Sequence, residues 1–392
     1  MDPLFWLPVM HFPSSQEQTG PVRVLHVTGN LDRGGVESWL VNLFRRIPRQ
    51  ETEMNVFLAA SPPVTGEHEP EIRRLGAHVV HPPATSHLPA FLWAYWRELR
   101  RLQYDVVHVH VHHFSGVIVL LARLAGVPVR VVTSHSNTLQ VDRTVRPTRR
   151  LYLFFMALAL NLGVTHRTAV SQSAAQSLFG RHWRSAQIID LGVDLDAFAQ
   201  PRQTQIIRRS LGLEEGIPVL GCVAQMRPEK NLPFLLEILQ EFHRQHGAAY
   251  LLLVGDGPQR QVIEQEVSRL KLQHWVCLTG SRPDVPEMLW AMDVFLLASE
   301  FEGLSLSLIE AQMAGLPGVV SDTVPILSGD ERFPLVDVWK LPLSASARAW
   351  ADASAQALAR GRHPAPQFAF DIGQTSRQLA EFYRRVTAQA RS

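Results

Sequence analysis

Ser299 to Asp322 reads SEFEGLSLSLIEAQMAGLPGVVSD, and this stretch decides how the rest of the chain is interpreted. An acidic loop ends in Glu302 and Gly303, and an apolar run with helical spacing follows it. Gly-Leu-Pro ends that run before a short strand, Gly318 to Ser321. A loop, a helix and a buried strand in this order are typical of a parallel α/β sheet.

The start of this helix is predicted to bind an anion. A helix that begins near Leu304 leaves Glu302 on the loop and puts Glu310 about two turns inside. The peptide N–H groups of Gly303 to Leu306 are then unpaired and positively polarised, which suits a diphosphate. The two flanking carboxylates would accept hydrogen bonds from the hydroxyl groups of a sugar and of a ribose. The alternative is a surface helix with two solvated glutamates.

Length and composition indicate two domains. The chain has 392 residues, 46% apolar and 19% charged residues and a net charge of +2, which is too small to indicate nucleic-acid binding. We expect a loose extension over 1–20, a Rossmann-like domain over 21–200, a second one over 201–370, and a last helix, 371–392, that packs back on the first domain. The fold class is therefore α/β, with two domains facing each other across a cleft.

The first domain opens with a strand, a glycine loop and a helix. Val22 to Thr28 is an apolar strand, the loop ends in Gly34 and Gly35, and Val36 to Ile47 has helical spacing. A Gly-Gly turn lets the backbone approach a ligand closely, because no Cβ intervenes. The loop is not G-x-G-x-x-G, so a dinucleotide is not implied.

Histidines cluster where two later strands end. The predicted strand Tyr104 to Val111 carries His108 and His110 on one side, and two more histidines follow at 112 and 113. No cysteine or further carboxylate lies near in sequence, so polar packing or a sugar contact is preferred to a metal site. His135 follows the strand Val129 to Ser134, at the edge where open α/β sheets bind ligands. A capping histidine is the alternative there.

Other candidate metal ligands are weak. Asp194 and Asp196 form a D-x-D, which holds a cation in some sugar transferases, but a turn with an Asx cap is the preferred interpretation. Cys222 and Cys277 lie in separate apolar runs and form no C-x-x-C. They are predicted to be buried thiols of a reducing compartment. No metal is expected.

Residues 143–162 combine arginines with an apolar run that is too short to span a bilayer. Two interpretations stay open: a buried helix, or a basic apolar element that rests on an anionic membrane surface. The first twenty residues lack a basic region and contain three prolines, so no signal peptide is expected. The predicted location is cytoplasmic, with peripheral membrane contact as an option.

In the second half, the loop Gln225 to Asn231 follows the strand Val219 to Ala224. Its two cations, Arg227 and Lys230, lie three residues apart at a strand end and suit a phosphate. A solvated basic loop is the alternative.

With these elements in order, the chain resembles a known family. It is similar to retaining glycosyltransferases of the GT-B fold, family four (group 1), near the exopolysaccharide (EpsF-like) branch. The resemblance covers about residues 22–387 and is carried by VLHVTGNLDRGGVESWLVNL, DVVHVHVHHFSGVIVLLARLAGVPVRVVTSHSNT, RPEKNLPFLLEIL, LLLVGDGP, EFEGLSLSLIEAQMAGLPGVVSD and FDIGQTSRQLAEFY.

The resemblance implies a role for each matching residue. Glu310 would hold the ribose of the nucleotide, Glu302 the hydroxyls of the donor sugar and Lys230 the diphosphate, with His135 beside the sugar. The domain 21–200 would bind the acceptor and the domain 201–370 the nucleotide sugar, with Gly280 to Val285 near the base. The other implied donor-binding residues are Gly34, Gly35, Gln225, Gly303, Leu304, Ser305, Arg282 and Gly255.

One residue departs from the family pattern. Relatives have Gly-Arg-Leu after the first strand of the second domain, and this chain has Ala224-Gln225-Met226. Gln225 therefore stands where a phosphate-binding arginine is expected, which puts the strength of diphosphate binding in doubt. Arg227 is a candidate substitute.

The resemblance implies transfer of a hexose from a nucleotide sugar, expected to be UDP-linked, to a saccharide or lipid-linked saccharide, without a metal. The pathway would be exopolysaccharide or cell-surface glycan synthesis. Three alternatives remain: a UDP-sugar 2-epimerase, a non-catalytic nucleotide-sugar-binding protein of the same fold, and a periplasmic binding protein, against which the missing export signal argues.

Overall fold

The structure is a computed structural model that describes residues 20–59, 66–83, 87–139, 142, 146–189, 191–199, 203–325, 335–365 and 371–392. All but the last residue of the proposed extension, 1–20, lie outside the described residues.

The first lobe is built on a parallel sheet of seven strands in the order β3-β2-β1-β4-β5-β6-β7. Most of these strands are buried, because helices cover the sheet. A strand that is covered on both faces is apolar along its whole length, which explains the valine-rich runs. The strands are β1 (Val22–Thr28), β2 (Thr52–Leu58), β3 (Val79–Val80), β4 (Val106–Val109), β5 (Val129–Ser134), β6 (His166–Ala169) and β7 (Ala186–Ile188).

The second lobe repeats the design with six parallel strands in the order β10-β9-β8-β11-β12-β13. Its strands are β8 (Val219–Val223), β9 (Tyr250–Val254), β10 (Val276–Gly280), β11 (Val294–Leu297), β12 (Gly318–Ser321) and β13 (Val338–Leu341). Each lobe has its own apolar core. The two-lobed α/β fold predicted from the sequence is confirmed.

Thirteen α-helices lie in the described ranges. They are α1 (Gly35–Arg46), α2 (Glu69–Arg74), α3 (Leu88–Leu102), α4 (Ser115–Leu124), α5 (Pro147–Gly163), α6 (Gln172–Phe179), α7 (Thr204–Ser210), α8 (Leu232–His246), α9 (Arg260–Arg269), α10 (Val285–Ala291), α11 (Leu306–Met313), α12 (Ala347–Arg360) and α13 (Ile372–Arg391).

The strand orders fix where ligands bind. In the first lobe the chain reverses direction across the sheet between β1 and β4, and in the second between β8 and β11. Open α/β sheets bind ligands outside the carboxyl ends of the strands at such switch points. The loops after β1, β4, β8 and β11 carry most of the residues selected from the sequence.

Helix α13 packs on the first lobe although it follows the second in sequence. Ile372, Ala380, Tyr383 and Val386 are buried in the core of the first lobe. The side chain of Asp371 accepts the N–H of Gln374 and caps the helix. This cap fixes the first turn of the helix, although a glycine stands at position 373.

Helix α11 starts later than expected. It begins at Leu306, because the hydroxyl of Ser305 accepts the N–H of Leu308 and fixes the N-cap. Glu310 therefore lies about one turn inside the helix, and the predicted start near Leu304 is wrong by two residues.

Helix α5 is largely exposed, so the first of the two interpretations, a buried helix, is wrong. Only Leu160 and Gly163 are buried. Five large apolar side chains are 47–63% exposed: Leu151, Phe154, Phe155, Leu158 and Leu162. Within the described ranges no helix is long and apolar enough to cross a bilayer.

Candidate active site

A cleft of about 970 Å³ lies between the lobes and receives loops from both. Twelve of the thirteen site residues selected from the sequence line it: Gly34, Gly35, His135, Gln225, Arg227, Lys230, Gly255, Arg282, Glu302, Leu304, Ser305 and Glu310. They come together because the loops at both switch points open toward the same space.

Gly303 does not line the cleft but forms a contact between the lobes. A Cβ built on it would lie 1.9 Å from the carbonyl oxygen of His135. No side chain fits in that distance, so only glycine lets the loop after β11 approach the loop after β5. Gly303 therefore permits the close approach of the two lobes at this point.

Lys230 and Glu302 form an ion pair at the cleft. The Nζ of Lys230 lies 2.6 Å from Oε1 of Glu302, and both side chains are largely buried. The hydroxyl of Ser299 donates to the same carboxylate oxygen at 2.8 Å. An anion that reaches Lys230 would compete with Glu302 for the ammonium group, and the carboxylate would then be free to accept other hydrogen bonds.

Two carboxyl groups of the cleft resist ionisation. Burial raises the pKa of Glu310 to about 7. Burial also raises the pKa of Glu37 to about 7, although the positive charge of Arg227 opposes the shift. The sequence reasoning missed Glu37. The feature that could have identified Glu37 is an acidic residue in the first turn of the helix that follows the Gly-Gly loop.

Gln225 connects the lobes. Its Nε2 donates to the backbone carbonyl of Arg33 at 2.9 Å. A Cβ on Gly34 would come within 2.7 Å of the same amide nitrogen, so the glycine leaves room for the bond. Where the resemblance implies a phosphate-binding arginine, this chain has an amide that bonds to the opposite lobe, and Arg227 lines the cleft.

The loop after β10 also reaches the first lobe. Arg282 pairs with Asp284 in a bidentate contact of 2.8 and 2.5 Å. The hydroxyl of Ser281 donates to Glu67 of the first lobe at 2.7 Å.

Gly255 has φ +134°, and a Cβ there would lie 2.0 Å from the carbonyl of Ala224. Glycine is therefore required at the turn after β9.

The histidines form hydrogen-bonded groups. The imidazole nitrogens of His26, His108 and His110 come within 4.8 Å of one another, an arrangement that could hold a metal ion. His26 lies on β1 and was not noticed in the sequence. His113, which follows β4, bonds Asp142 at 2.9 Å, so the fold brings a carboxylate to one of the four clustered histidines although none was near in sequence.

Hydrogen bonds occupy both nitrogens of His108. The hydroxyl of Thr168 donates to the carbonyl of Val132, so it must accept from Thr133 at 2.6 Å. Thr133 therefore accepts a hydrogen bond from the Nε2–H of His108 at 2.6 Å. The lone pair on Nδ1 of His108 accepts a hydrogen bond from the hydroxyl of Tyr383, also at 2.6 Å. A metal ion could bind His108 only by breaking one of these buried bonds.

The D-x-D carboxylates contact an arginine. Nη2 of Arg46 lies 3.1 Å from Asp194 and 2.7 Å from Asp196. Asp194 is the N-cap of a short 3₁₀ helix, but its side chain makes no capping bond, so the predicted Asx cap is wrong.

Two facing Rossmann-like lobes, with cations and carboxylates at both switch points, define the class of GT-B sugar-transferring enzymes. Comparison with known proteins bears this out. Residues 203–328 match the family model described as Glycosyl transferases group 1, and residues 33–197 match Glycosyltransferase Family 4.

Curated relatives give the same result. The putative glycosyltransferase EpsF of Bacillus subtilis is 30% identical over 87% of this chain and 88% of its own length. An Escherichia coli enzyme, UDP-Gal:alpha-D-GlcNAc-diphosphoundecaprenol alpha-1,3-galactosyltransferase, is 25% identical over 77% of this chain and 79% of its own. The chain belongs to the group 1, family 4 glycosyltransferases and is a transferase.

Solved structures agree on the fold. Anabaena HepE in complex with UDP and glucose has a TM-score of 0.72 and 17% identity, and the match covers 94% of this chain and 98% of that one. WaaG, a glycosyltransferase of lipopolysaccharide biosynthesis, has a TM-score of 0.67 and 16% identity, covering 94% and 98%.

Proposed function

We propose that this glycosyltransferase moves a hexose from a UDP-linked sugar, with retention of the anomeric configuration, to a saccharide or lipid-linked saccharide in exopolysaccharide or cell-surface glycan synthesis. The observation that carries the proposal is the buried Lys230–Glu302 pair at the cleft between the lobes. Two similar proteins support the choice of donor: HepE, whose structure holds UDP-glucose, and the E. coli enzyme, whose name specifies UDP-galactose and a diphosphoundecaprenol-linked sugar.

Binding of the donor would rearrange the ion pair. The diphosphate takes Lys230, with Arg227 beside it, and the freed carboxylate of Glu302 accepts hydroxyls of the sugar. Glu310 accepts the ribose hydroxyls. The N–H groups before α11, from Leu304 and Ser305, add positive polarity near the diphosphate.

When the bond between the sugar and the diphosphate breaks, negative charge grows on the departing phosphate oxygens. Lys230 meets that charge from a partly buried position, and the exposed Arg227 also lines the cleft. A preorganised donor of this kind typically contributes about 3 kcal/mol. Retention requires the acceptor hydroxyl to attack from the face that the leaving group occupies. His135 lies beside the sugar in this scheme.

No metal is needed in this scheme, because Lys230, Arg227 and the helix end supply the positive charge. Transfer should therefore continue in excess EDTA. Loss of activity in EDTA, restored by Mg²⁺ or Mn²⁺, would contradict this part of the proposal.

A lipid-linked acceptor would require the protein to reach a membrane surface. The exposed apolar side chains of α5, which we call the α5 face (Leu151, Phe154, Phe155, Leu158 and Leu162), lie beside the exposed arginines 146 and 149. Apolar groups next to cations suit an anionic bilayer surface. The protein would act from the cytoplasmic side, bound peripherally.

The test is a donor panel. Thermal-shift measurements with UDP-glucose, UDP-galactose, UDP-N-acetylglucosamine and GDP-mannose identify the donor, since a ligand at about 100 times its Kd stabilises by about 2.7 kcal/mol. NMR of the donor that binds, with undecaprenyl-diphosphate-linked sugars and free saccharides as acceptors, then detects transfer. Stabilisation by GDP-mannose alone would overturn the UDP assignment.

A further inference from the structure

Three histidines form a line from inside the first lobe to the cleft. Nδ1 of His26 lies 3.1 Å from Nε2 of His110, and Nδ1 of His110 lies 2.9 Å from Nε2 of His135. The ring centroids of His26 and His110 lie 5.4 Å apart and the ring planes differ by only 7°, as in two rings joined end to end. The line exists because β1, β4 and β5 are neighbours in the sheet.

All three rings are neutral. Burial lowers the pKa of His26 and of His135 to about 3 and that of His110 well below its usual value. A neutral imidazole has one N–H and one lone pair. Two hydrogen bonds across three rings use two N–H groups and two lone pairs. One N–H remains at one end of the line, and one lone pair remains at the other.

The two ends are Nε2 of His26 and Nδ1 of His135, and both are buried without a hydrogen-bond partner. His26 is fully buried, with the ring of Phe44 6.1 Å away. A buried N–H without a partner is rarer than an acceptor without one. The lone pair therefore belongs at His26, and the remaining N–H belongs at His135, which lines the cleft.

We propose that His26 and His110 are positioning residues that fix His135 as the Nδ1–H tautomer, so that it donates a hydrogen bond to an oxygen of the donor's sugar. Both hydrogen bonds of the line then run in one direction, from His26 through His110 to His135. The proposal rests on the function proposed above, since it names a contact with the sugar part of the nucleotide sugar.

His108 stands beside this line without joining it. Its ring centroid lies 4.3 Å from that of His110 and 5.3 Å from that of His26, and its own bonds run to Tyr383 and Thr133. Because those bonds occupy its lone pair, a metal ion shared by the three histidines is disfavoured. Helix α13 supplies Tyr383, whose hydroxyl bonds His108 and so fixes the ring that packs against His26 and His110.

The first measurement is the tautomer itself. Nitrogen-15 NMR of the histidine-labelled full-length protein should show His135 protonated on Nδ1 and unprotonated on Nε2. In His110→Phe, which keeps an aromatic ring but removes both hydrogen bonds, His135 should populate the Nε2–H form as well. An Nε2–H signal for His135 in the wild type, or no change in His110→Phe, overturns the proposal.

The second measurement separates sugar from nucleotide. In His110→Phe the affinity for UDP should change by less than twofold, while the affinity for UDP-glucose and kcat should each fall about tenfold. His110→Gln keeps one donor and one acceptor and should recover part of the UDP-glucose affinity and part of kcat. It also serves as the test variant if His110→Phe does not fold. Equal losses for UDP and UDP-glucose overturn the proposal. If the wild type binds neither, the proposed donor is wrong, and the tautomer measurement still decides the direction of the line.

Discussion

The side-chain amide of Gln225 donates a hydrogen bond to the backbone carbonyl of Arg33 across the cleft, at 2.9 Å. This contact gives a physical reason for the residue that departs from the family pattern. An arginine here would direct charge at a phosphate, whereas the glutamine joins the two lobes. Closure is thus built partly into the chain, and the ligand does not have to supply all of it.

Removing this bond should weaken donor binding. Gln225→Leu loses one interlobe hydrogen bond worth about 1 kcal/mol, so UDP-glucose should bind about fivefold more weakly in calorimetry. Small-angle scattering of the ligand-free variant should give a larger radius of gyration. Gln240→Leu, on the exposed side of α8, is the matched control and should behave as the wild type. Identical affinities in both variants would mean that the bond does not contribute to closure.

Gly303→Ala should hold the lobes apart. The new methyl group would fall 1.9 Å from the carbonyl oxygen of His135, and a backbone atom cannot yield as a flexible side chain can. UDP-glucose affinity should drop at least tenfold. Gly20→Ala, where no atom lies within 4 Å of the added carbon, is the control. Normal binding by Gly303→Ala would show that the loops separate at little cost.

The Lys230–Glu302 pair should separate stability from activity. Lys230→Met should lower kcat by about 100- to 1,000-fold, because a preorganised cation is lost. It should also lower the Tm, since Glu302 is left largely buried without its partner. The double variant Lys230→Met/Glu302→Gln should regain most of the Tm and none of the activity. Recovery of activity in the double variant would exclude the proposed role of Lys230.

Glu310 should make stability depend on pH. Its pKa is about 7 in the folded chain and near 4.5 in the unfolded chain, so the folded chain holds the proton longer. Stability is therefore lost as the pH rises from about 4.5 to about 7, and the loss is complete above that window. Glu310→Gln removes this loss. Its Tm relative to the wild type should be higher at pH 8 than at pH 5, while its affinity for UDP-glucose falls. Glu37 titrates in the same window in both proteins and cancels from the comparison. A Tm difference that is the same at both pH values would contradict the burial of this carboxyl group.

The α5 face should bind anionic membranes. Replacing its five apolar residues with serine should abolish co-sedimentation with phosphatidylglycerol vesicles, and added salt should weaken binding by the wild type. Ile206→Ser and Val262→Ser, at side chains 62% and 49% exposed on the second lobe, provide the control. If the wild-type protein does not co-sediment with these vesicles, the proposed membrane contact is wrong.

The sequence alone predicted the two-lobed fold and the elements that carry the site. Local signals were enough, because apolar runs bounded by glycine and proline define buried strands and the loops that follow them. Glu302, Lys230 and His135 could be selected because each follows a strand, and strand ends meet at one edge of a parallel sheet.

Tertiary structure decided which of these residues touch. Glu302 pairs with a lysine 72 positions away, and Gln225 bonds a carbonyl 192 positions away. The line of histidines needs three strands in register, so His26 carried no signal on its own. The exposure of α5 depended on which neighbours cover it, and an apolar run has the same pattern whether protein, membrane or water lies against it. Sequence periodicity records the conformation of a segment, whereas contact and exposure depend on the parts of the chain that fold against it.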